Sequence, residues 1–424
     1  MCNGSVWFPH SDDPLRLQDF IHLKSYGIHG EAKTPPDQAH MAIKLTHPQW
    51  GQAMMFARKK QSAPSRKMVD ADASLLPWER NDIYKATRIV TVRMEVSNQH
   101  VLRDRKNLLR YLFTLMGTQG VVALDHTSNR FWSREALVDE ISHDAELDVQ
   151  SLFSLHAITQ DSQQEVMWLH THGLAEIGRF DFDVVHPSRE LFSTGADYLR
   201  AIAFMILEGR ADTKANRCTL AYPDGDIRFV EAAAFDKHAD DYYAGLRKDP
   251  DGTHQENRMV ICDPSDNALE RFRNARPSLL LSGSIDLEKV LNFSDQASQL
   301  MASRARGTYD VLYRLIDEMA EFQLPAAVKM GFTVDDGDDE DKEHLWFDVN
   351  VLSDDAIDAT LISQPYQIKR MIPGQRNRHS IEHLSDWMIM TPFGAITPRA
   401  LSVARDIRHN RDEFAEALKA MAND

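Results

Sequence analysis

The chain has 424 residues, 43% of them hydrophobic and 26% charged, and 64 acids against 48 lysines and arginines set a formal charge of −16. That length holds two to four domains with their own cores, and the composition excludes global disorder. So acidic a surface repels phosphate backbones and anionic lipid, and no run approaches the roughly 18 apolar residues of a membrane span; nucleic acid and membrane are not expected partners.

Only Cys2, Cys218 and Cys262 are cysteines, none in a C-x-x-C pair, which suits a reducing compartment, with Cys218 and Cys262 reading as small buried hydrophobes. The stretch Met1 to Pro14 is polar and acidic, without a secretory pattern, so the expected location is cytoplasmic. Residues 1 to 82 read as a loop-rich N-terminal region packing on the body of the protein. Pro35-Pro36 and the basic stretch from Arg58 to Lys67 act as breakers, and a weak strand covers Met41 to Leu45. From 83 to 210 strands and helices alternate, as in an α/β domain. A strand spans Ile89 to Val96, and a helix from Asp104 to Met116 is closed by Gly117. A short strand comes next at Val121 to Asp125, then a helix capped by Ser133, strands at Phe153–Ile158 and Val166–His170, and a helix near Ala196 to Leu207. Residues 211 to 322 form a second α+β region. It has strands at Cys218–Tyr222, Ile227–Ala232, Arg258–Cys262 and Ser278–Leu281, a turn at Pro223-Asp224-Gly225, and one long helix from Ser294 to Phe322.

Residues 323 to 396 read as a small β-rich domain, with strands at Leu345–Leu352, Ile357–Leu361, Tyr366–Ile368 and Met388–Met390 after an acidic loop at Asp335 to Glu343. Residues 397 to 424 read as a helix opened by Thr397-Pro398. Its stripe of Ala400, Ala404, Ile407, Arg411, Phe414, Leu418 and Met421 docks on the protein's own body in preference to a second copy in a homodimer. The expected class is α+β: a central sheet-and-helix body, a small β-rich C-terminal domain and a C-terminal helix.

Val328-Lys329 and Phe332, Glu343-His344-Leu345-Trp346-Phe347-Asp348-Val349, Gln364-Pro365-Tyr366, Pro373-Gly374-Gln375 and Ile381-Glu382-His383-Leu384-Ser385-Asp386-Trp387-Met388 occur in that order. This order resembles the bacterial domain-of-unknown-function family twenty-three-fourteen (YegJ-like). It departs from the family at Leu345 for Met, at Ser363-Gln364-Pro365 for Asn-Glu-Pro, and at Thr391-Pro392-Phe393-Gly394 for a glycine-rich ending. Met167-Trp168-Leu169-His170-Thr171-His172-Gly173-Leu174, with Gly178 and Asp181-Phe182-Asp183, resembles a segment of uncharacterised larger proteins that carry this domain. The resemblance implies a compact β-rich C-terminal domain on a larger α/β region and brings no reaction with it.

His170 and His172 are the strongest chemical signal. In a strand, positions i and i+2 share a face, so both imidazoles can reach one divalent metal, with Asp181, Asp183 and His186 as further ligands and Glu176 as a base. On sequence alone, a strand cap hydrogen-bonded near Gly173 outweighs that reading, and no cofactor is expected. His379-Ser380-Ile381-Glu382-His383 fits H-x-x-E-H, but that chemistry needs a helix and a downstream ligand, and this segment follows a Pro-Gly turn. Trp346 and Trp387, with Asp386, Glu343 and His344, are the candidate binding residues; a core Trp346 and a turn-capping Asp386 are the plainer alternative. Basic clusters at Arg58–Lys67, Arg103–Arg110 and Lys369–Arg378 read as solvated faces. Phosphate-loop, dinucleotide and nucleophile-elbow motifs are absent from the sequence, and no catalytic residue can be named.

The expected function is therefore a non-enzymatic interaction protein that binds a protein partner, such as a basic nuclease-type toxin. The alternatives are a metal-dependent hydrolase centred on His170 and His172, and a subunit dimerising through its C-terminal helix.

Overall fold

The computed structural model describes residues 1–59, 63–72, 74–97, 99–159, 167–175, 179–185, 199–200, 202–203, 218–220, 225–238, 258–262, 295–337 and 341–421. The architecture is α+β. The chain forms two compact units, each assembled from separate stretches: Met1–Ser62, Thr87–Phe131 and Val149–Ser294 in the first, Ala63–Ala86, Trp132–Asp148 and Asp295–Asp424 in the second.

All but the first residue of β5 and the last two of β7 in one seven-stranded sheet fall in the first unit: β1 (Cys2–Pro9), β2 (His29–Lys33), β3 (Ala39–His47), β4 (Gly51–Arg58), β5 (Ala86–Met94), β6 (Val122–Asp125) and β7 (Arg130–Ser133), in the order β2-β3-β4-β5-β1-β6-β7. Four of these strands lie in the stretch expected to be loop-rich, where β3 covers the weak strand expected at Met41 to Leu45. Their buried positions mix Val6, Trp7, Phe8, Ile43 and Leu45 with Cys2, Ala42, Ala53, Met55 and Ala57, and the small and unbranched residues interrupt the β-branched and aromatic pattern that marks a strand in sequence. Helix α1 (Val101–Met116) crosses β1 where Gly4 leaves room: a Cβ there would stand 2.7 Å from Leu112 Cδ1. Gly117, at φ 50°, ends α1 as its position in the sequence suggests. The basic run on α1 is not a solvated face. Arg103 is exposed, but Arg105 and Lys106 are buried, and Arg105 pairs with buried Asp125, whose carboxylate also accepts from Thr127 N and Ser128 Oγ at 3.0 Å. Pairing and hydrogen bonding are what make such charges tolerable inside a protein. Burial pushes the Cys2 thiol up to about 12, which makes it inert.

A six-stranded sheet follows in the same unit, made of β8 (Ser154–Thr159), β9 (Met167–His172), β10 (Asp181–Val185), β11 (Cys218–Leu220), β12 (Gly225–Glu231) and β13 (Arg258–Cys262). Its order is β11-β12-β13-β10-β9-β8, with β10 and β13 parallel. Leu169, Phe182, Val184, Ile227, Phe229 and Ile261 are buried along it, and Cys262 is buried at its centre. The expected strand at 278–281, most of the helix at 196–207 and positions 223–224 of the turn lie outside the described residues.

In the second unit β14 (Ala326–Thr333), β15 (Lys342–Leu352), β16 (Ala356–Leu361), β17 (Arg376–Ser380) and β18 (Leu384–Ile389) form an antiparallel sheet ordered β17-β16-β15-β14-β18. Helix α2 (Arg134–Ile141), capped by Ser133, belongs to the same unit. The inner face of the sheet, with Val328, Met330, Leu345, Phe347, Ile357, Leu361 and Trp387, meets helices α3 (Asp295–Gly307) and α4 (Tyr309–Glu318) through Ala305, Leu312 and Leu315. Residues 366–368 form no strand, and β17 is an addition to the sequence reading. The single long helix expected here is two helices. Thr308, fully buried between them, donates its hydroxyl to Arg304 O at 2.8 Å and accepts from Trp387 Nε1 at 3.0 Å. A side chain that bonds the preceding turn competes with the helical ladder, and the indole fixes it in that role. Gly307 lies against Ala145, where a Cβ would come within 2.5 Å of the Ala145 Cβ.

The tail is likewise two helices, α5 (Ser402–His409) and α6 (Arg411–Met421), interrupted at Asn410, which bonds back to Asp406 and caps Phe414 N through its carbonyl. Ala404, Ile407 and Phe414 sink into this unit's own core, with Phe322 and Phe393 edge-on to Phe414.

Arg304 is the polar centre of the second unit. It donates to both Glu140 oxygens at 2.9 and 2.7 Å and to the Pro398 carbonyl at 2.9 Å, and lies 3.7 Å from Asp148. Arg304→Met strands the buried Glu140 carboxylate and is expected to cost about 3–5 kcal/mol in urea unfolding. Arg314→Met, which removes an exposed ion pair with Asp310 and a 3.4 Å bond to its carbonyl, is expected to leave the midpoint unchanged. Equal effects would show that the buried pair does not hold this unit together.

Candidate metal centre

The antiparallel pairing of β8 with β9 sets Ser154 opposite His172 and His156 opposite His170. Directly opposed residues, and residues two apart on a strand, share a face. Ser154, His156, His170 and His172 therefore stand at the corners of one square on one side of the sheet. Each of the three imidazoles offers a nitrogen, and these nitrogens lie within 4.8 Å of one another. His170 Nε2 and His172 Nε2 are 3.0 Å apart, and Ser154 Oγ is 3.1 Å from His156 Nε2. His170 is buried, the other two histidines are half-buried, and the buried Trp168 indole adjoins His170 with ring centroids 4.8 Å apart.

The same register explains the surroundings. Asp183 on β10 stands opposite His170, and Arg258 on β13 donates through Nε to Asp183 Oδ1 at 3.1 Å and through Nη1 to Thr171 O at 3.1 Å. Asp181 is occupied differently. It accepts from Thr171 Oγ1 at 2.8 Å and from the backbone N–H groups of Gly173, Leu174 and Ala175 at 3.1–3.3 Å, so it caps the turn after β9. Burial pushes its carboxyl above the ordinary range, against the pull of Arg258. Gly173, at φ 121°, makes that turn: a Cβ would meet Leu152 O at 2.5 Å and Thr127 O at 2.9 Å. Of the residues read from sequence, His170 and His172 are brought together. Asp181 and Asp183 are each committed to other groups, while Glu176 and His186 lie outside the described residues.

The third imidazole, His156, is the residue the sequence reading missed. Its strand was legible, and so was its position on alternate residues from Ser154. The pairing register that turns it toward His170 was not.

Three imidazoles with no thiolate form a donor set suited to zinc, copper, iron or nickel. With bonds of 2.0–2.1 Å, a tetrahedral zinc holds its nitrogens about 3.4 Å apart. The present nitrogens, within 4.8 Å of one another, stand at most about 1.4 Å wider apart than that. The donor set fits, and three protein ligands leave a coordination position open.

The second unit treats its candidates differently. β14 places Val328 opposite Trp387 and Lys329 opposite Trp346, so the two indoles project to opposite faces of the sheet. Trp387 is the core residue, while Trp346 is half-buried on the outer face with the Lys329 ammonium 5.7 Å from its ring. They cannot form one aromatic face. His344 Nδ1 lies 2.8 Å from Ser385 Oγ, and Asp386 accepts from Arg399 Nη2 at 3.3 Å, with burial raising its carboxyl. Glu343 accepts from the backbone of Tyr366 and Gln367 at 2.6 and 2.9 Å, a structural clamp on that loop. The basic cluster at 369–378 is tied into local ion pairs: Arg370 with Asp335, Arg376 with Asp358, Arg378 with Asp355.

The H-x-x-E-H segment spans the end of β17 and a 3-10 turn at Ile381–His383, which rules out the helical display that chemistry needs. His379 packs edge-on to Phe332 and Phe347, and its Nε2 has no hydrogen-bond partner among the described residues. Burial, reinforced by the neighbouring His383, holds its pKa below the ordinary 6.5. A depressed histidine pKa leaves stability intact above the unfolded value and erodes it as pH falls below, because the unfolded chain takes up the proton first. Amide exchange along the β16–β17 ladder is expected to speed up below about pH 6.5 beyond its intrinsic pH dependence, and His379→Phe is expected to remove that acceleration. An acid response unchanged in the variant would place its origin elsewhere.

Residues 155–262, which include all three histidines, match the family model described as the C-terminal part of a protein of unknown function (DUF4026). Residues 295–417 match the one described as an uncharacterized protein conserved in bacteria (DUF2314). The resemblance drawn from Lys329–Met390 falls inside the second match and is borne out. No curated protein and no solved structure matches the chain.

Proposed function

We propose that this chain is a divalent-metal-binding protein whose centre is His156, His170 and His172, with an open position that makes metal-assisted hydrolysis its reaction class. The observation that carries the reading is the convergence of three imidazole nitrogens within 4.8 Å from two paired strands. A metal held by three neutral imidazoles keeps its charge and supplies Lewis acidity to a water or carbonyl in the open position. The chain's own part is positional. The β8–β9 ladder fixes three rings on a rigid face, Ser154 orients His156, and the Asp183–Arg258 pair keeps the buried surroundings of His170 close to electroneutral. Neither Asp181 nor Asp183 is needed as a ligand.

Titration of the full chain with zinc, followed calorimetrically, is expected to show one equivalent bound. His156→Gln and His172→Gln, both at half-buried positions, are each expected to weaken it at least about a hundredfold, beyond what loss of an outer-shell partner costs. Stoichiometric binding that survives His156→Gln would sink this centre.

The formal charge of −16 favours a second reading, an acidic protein that captures a basic protein partner in the cytoplasm by electrostatic steering. The sparse cysteines support that compartment, and no helix among the described residues is long and apolar enough to cross a membrane. Under this reading the rate of association with a basic partner falls steeply with salt; a salt-independent rate contradicts it.

A further inference from the structure

The first unit contains a second constructed pocket, remote in chemistry from the histidines. It is a cavity of about 320 Å³ between β3, β4 and β5, lined among others by Pro36, Phe56, Arg58, Thr91 and Arg93. That volume suits a small metabolite. In the β4–β5 register Phe56 stands opposite Thr91 and Met54 opposite Arg93, which puts Phe56, Arg58, Thr91 and Arg93 on one face. Arg58 and Arg93 start from opposite ends of that row and both turn inward. Arg58 Nε donates to Thr91 Oγ1 at 3.2 Å, and the Arg93 guanidinium lies 5.6 Å from the Phe56 ring centroid. Two like charges brought to one pair of residues repel each other. Among the described residues neither guanidinium forms an ion pair, and the only carboxylate on the lining is Asp37. The pocket is net cationic in a protein of charge −16.

What anchors Arg58 is unusual for a sheet core. Thr91 is 4% exposed and Ser5 fully buried, and their hydroxyls lie 3.1 Å apart; Ser5 Oγ is in turn 2.7 Å from His126 Nε2. Arginine only donates, so the order that leaves no hydroxyl proton unplaced runs from Arg58 to Thr91, from Thr91 to Ser5, and from Ser5 to the unprotonated Nε2 of His126. Valine at either hydroxyl position would suit a β core without this polar cost. The relay spends Nε of Arg58 on orientation and leaves its two terminal nitrogens, the fork that matches an oxyanion, for a ligand.

We propose that this cavity binds a small organic anion, its carboxylate or phosphate between Arg58 and Arg93 and its apolar body against Phe56 and Pro36. Thr91 is the positioning residue. The site owes nothing to the metal reading and stands or falls separately.

Benzoate and phenyl phosphate are the probes, with benzyl alcohol as the neutral control, titrated calorimetrically against the full chain. One equivalent of at least one anionic probe is expected to bind, and benzyl alcohol is not. Arg58→Gln and Arg93→Gln are each expected to weaken binding about tenfold, as loss of a charge-assisted hydrogen bond implies. Both are exposed side chains, so the variants are expected to keep the wild-type thermal midpoint. Thr91→Val keeps both charges and is expected to weaken the probe several-fold while leaving the salt dependence of binding unchanged, which separates positioning from charge. The tighter of the two anions identifies the head group. Failure of both anions to bind, or equal binding by the Arg58→Gln/Arg93→Gln double variant, overturns the proposal.

Discussion

The register of β8 against β9 is the constraint on which the histidine centre depends. Because side chains alternate with a period of two, a slip of one residue would turn His156 to the opposite face while leaving His170 and His172 where they are. A pair of histidines two apart is a common accident of a strand. A third imidazole across the ladder makes it a facial donor set. The neighbouring strand continues the same row: β10 puts Asp183 opposite His170, and β13 supplies the Arg258 that neutralises it. One hydrogen-bonding register thus fixes the three imidazoles, the adjoining buried charge pair and the Trp168 wall together.

Both units solve the problem of buried charge in the same way. Arg105 with Asp125, Arg258 with Asp183, and Arg304 with Glu140 are each a guanidinium and a carboxylate almost without solvent contact. Such pairs add little net stability over an apolar replacement, but a broken pair is costly. They therefore penalise wrong packing more than they reward right packing. Each joins segments distant in sequence, most of all Glu140 and Arg304 in the second unit. Arg58 and Arg93 stand outside that pattern: both are exposed, and their guanidiniums share a pocket with a single carboxylate on its lining.

The sequence made local features legible where physics is local. The alternation of Ile89, Val90 and Val92 marked β5, Gly117 closed α1, and the Ser133 hydroxyl accepts from Ala136 N as a helix cap should. The C-terminal β-rich domain was legible from its motif order, and the His170–His172 pair from strand parity. Features set by tertiary contact were hidden. β3 was read as a weak strand, but glycine, serine, alanine and methionine interrupt β1, β2 and β4, and such residues carry little strand propensity until neighbours cover them. The break at Thr308 is made by an indole 79 residues away, and the burial of Arg105 and Lys106 depends on what packs over α1. The interleaving of the two units, in which residues 132–148 join the C-terminal half, is a property of contacts alone. His156 belongs with these, since its strand was visible and its register was not.

X-ray absorption at the zinc edge of the reconstituted full chain tests the central claim most directly. Three imidazole nitrogens at 2.0–2.1 Å with one oxygen neighbour, the imidazole scattering falling to two rings in His156→Gln, is the result this account predicts. A first shell containing sulfur, a shell dominated by carboxylate oxygen, or a spectrum unchanged by that substitution would contradict it.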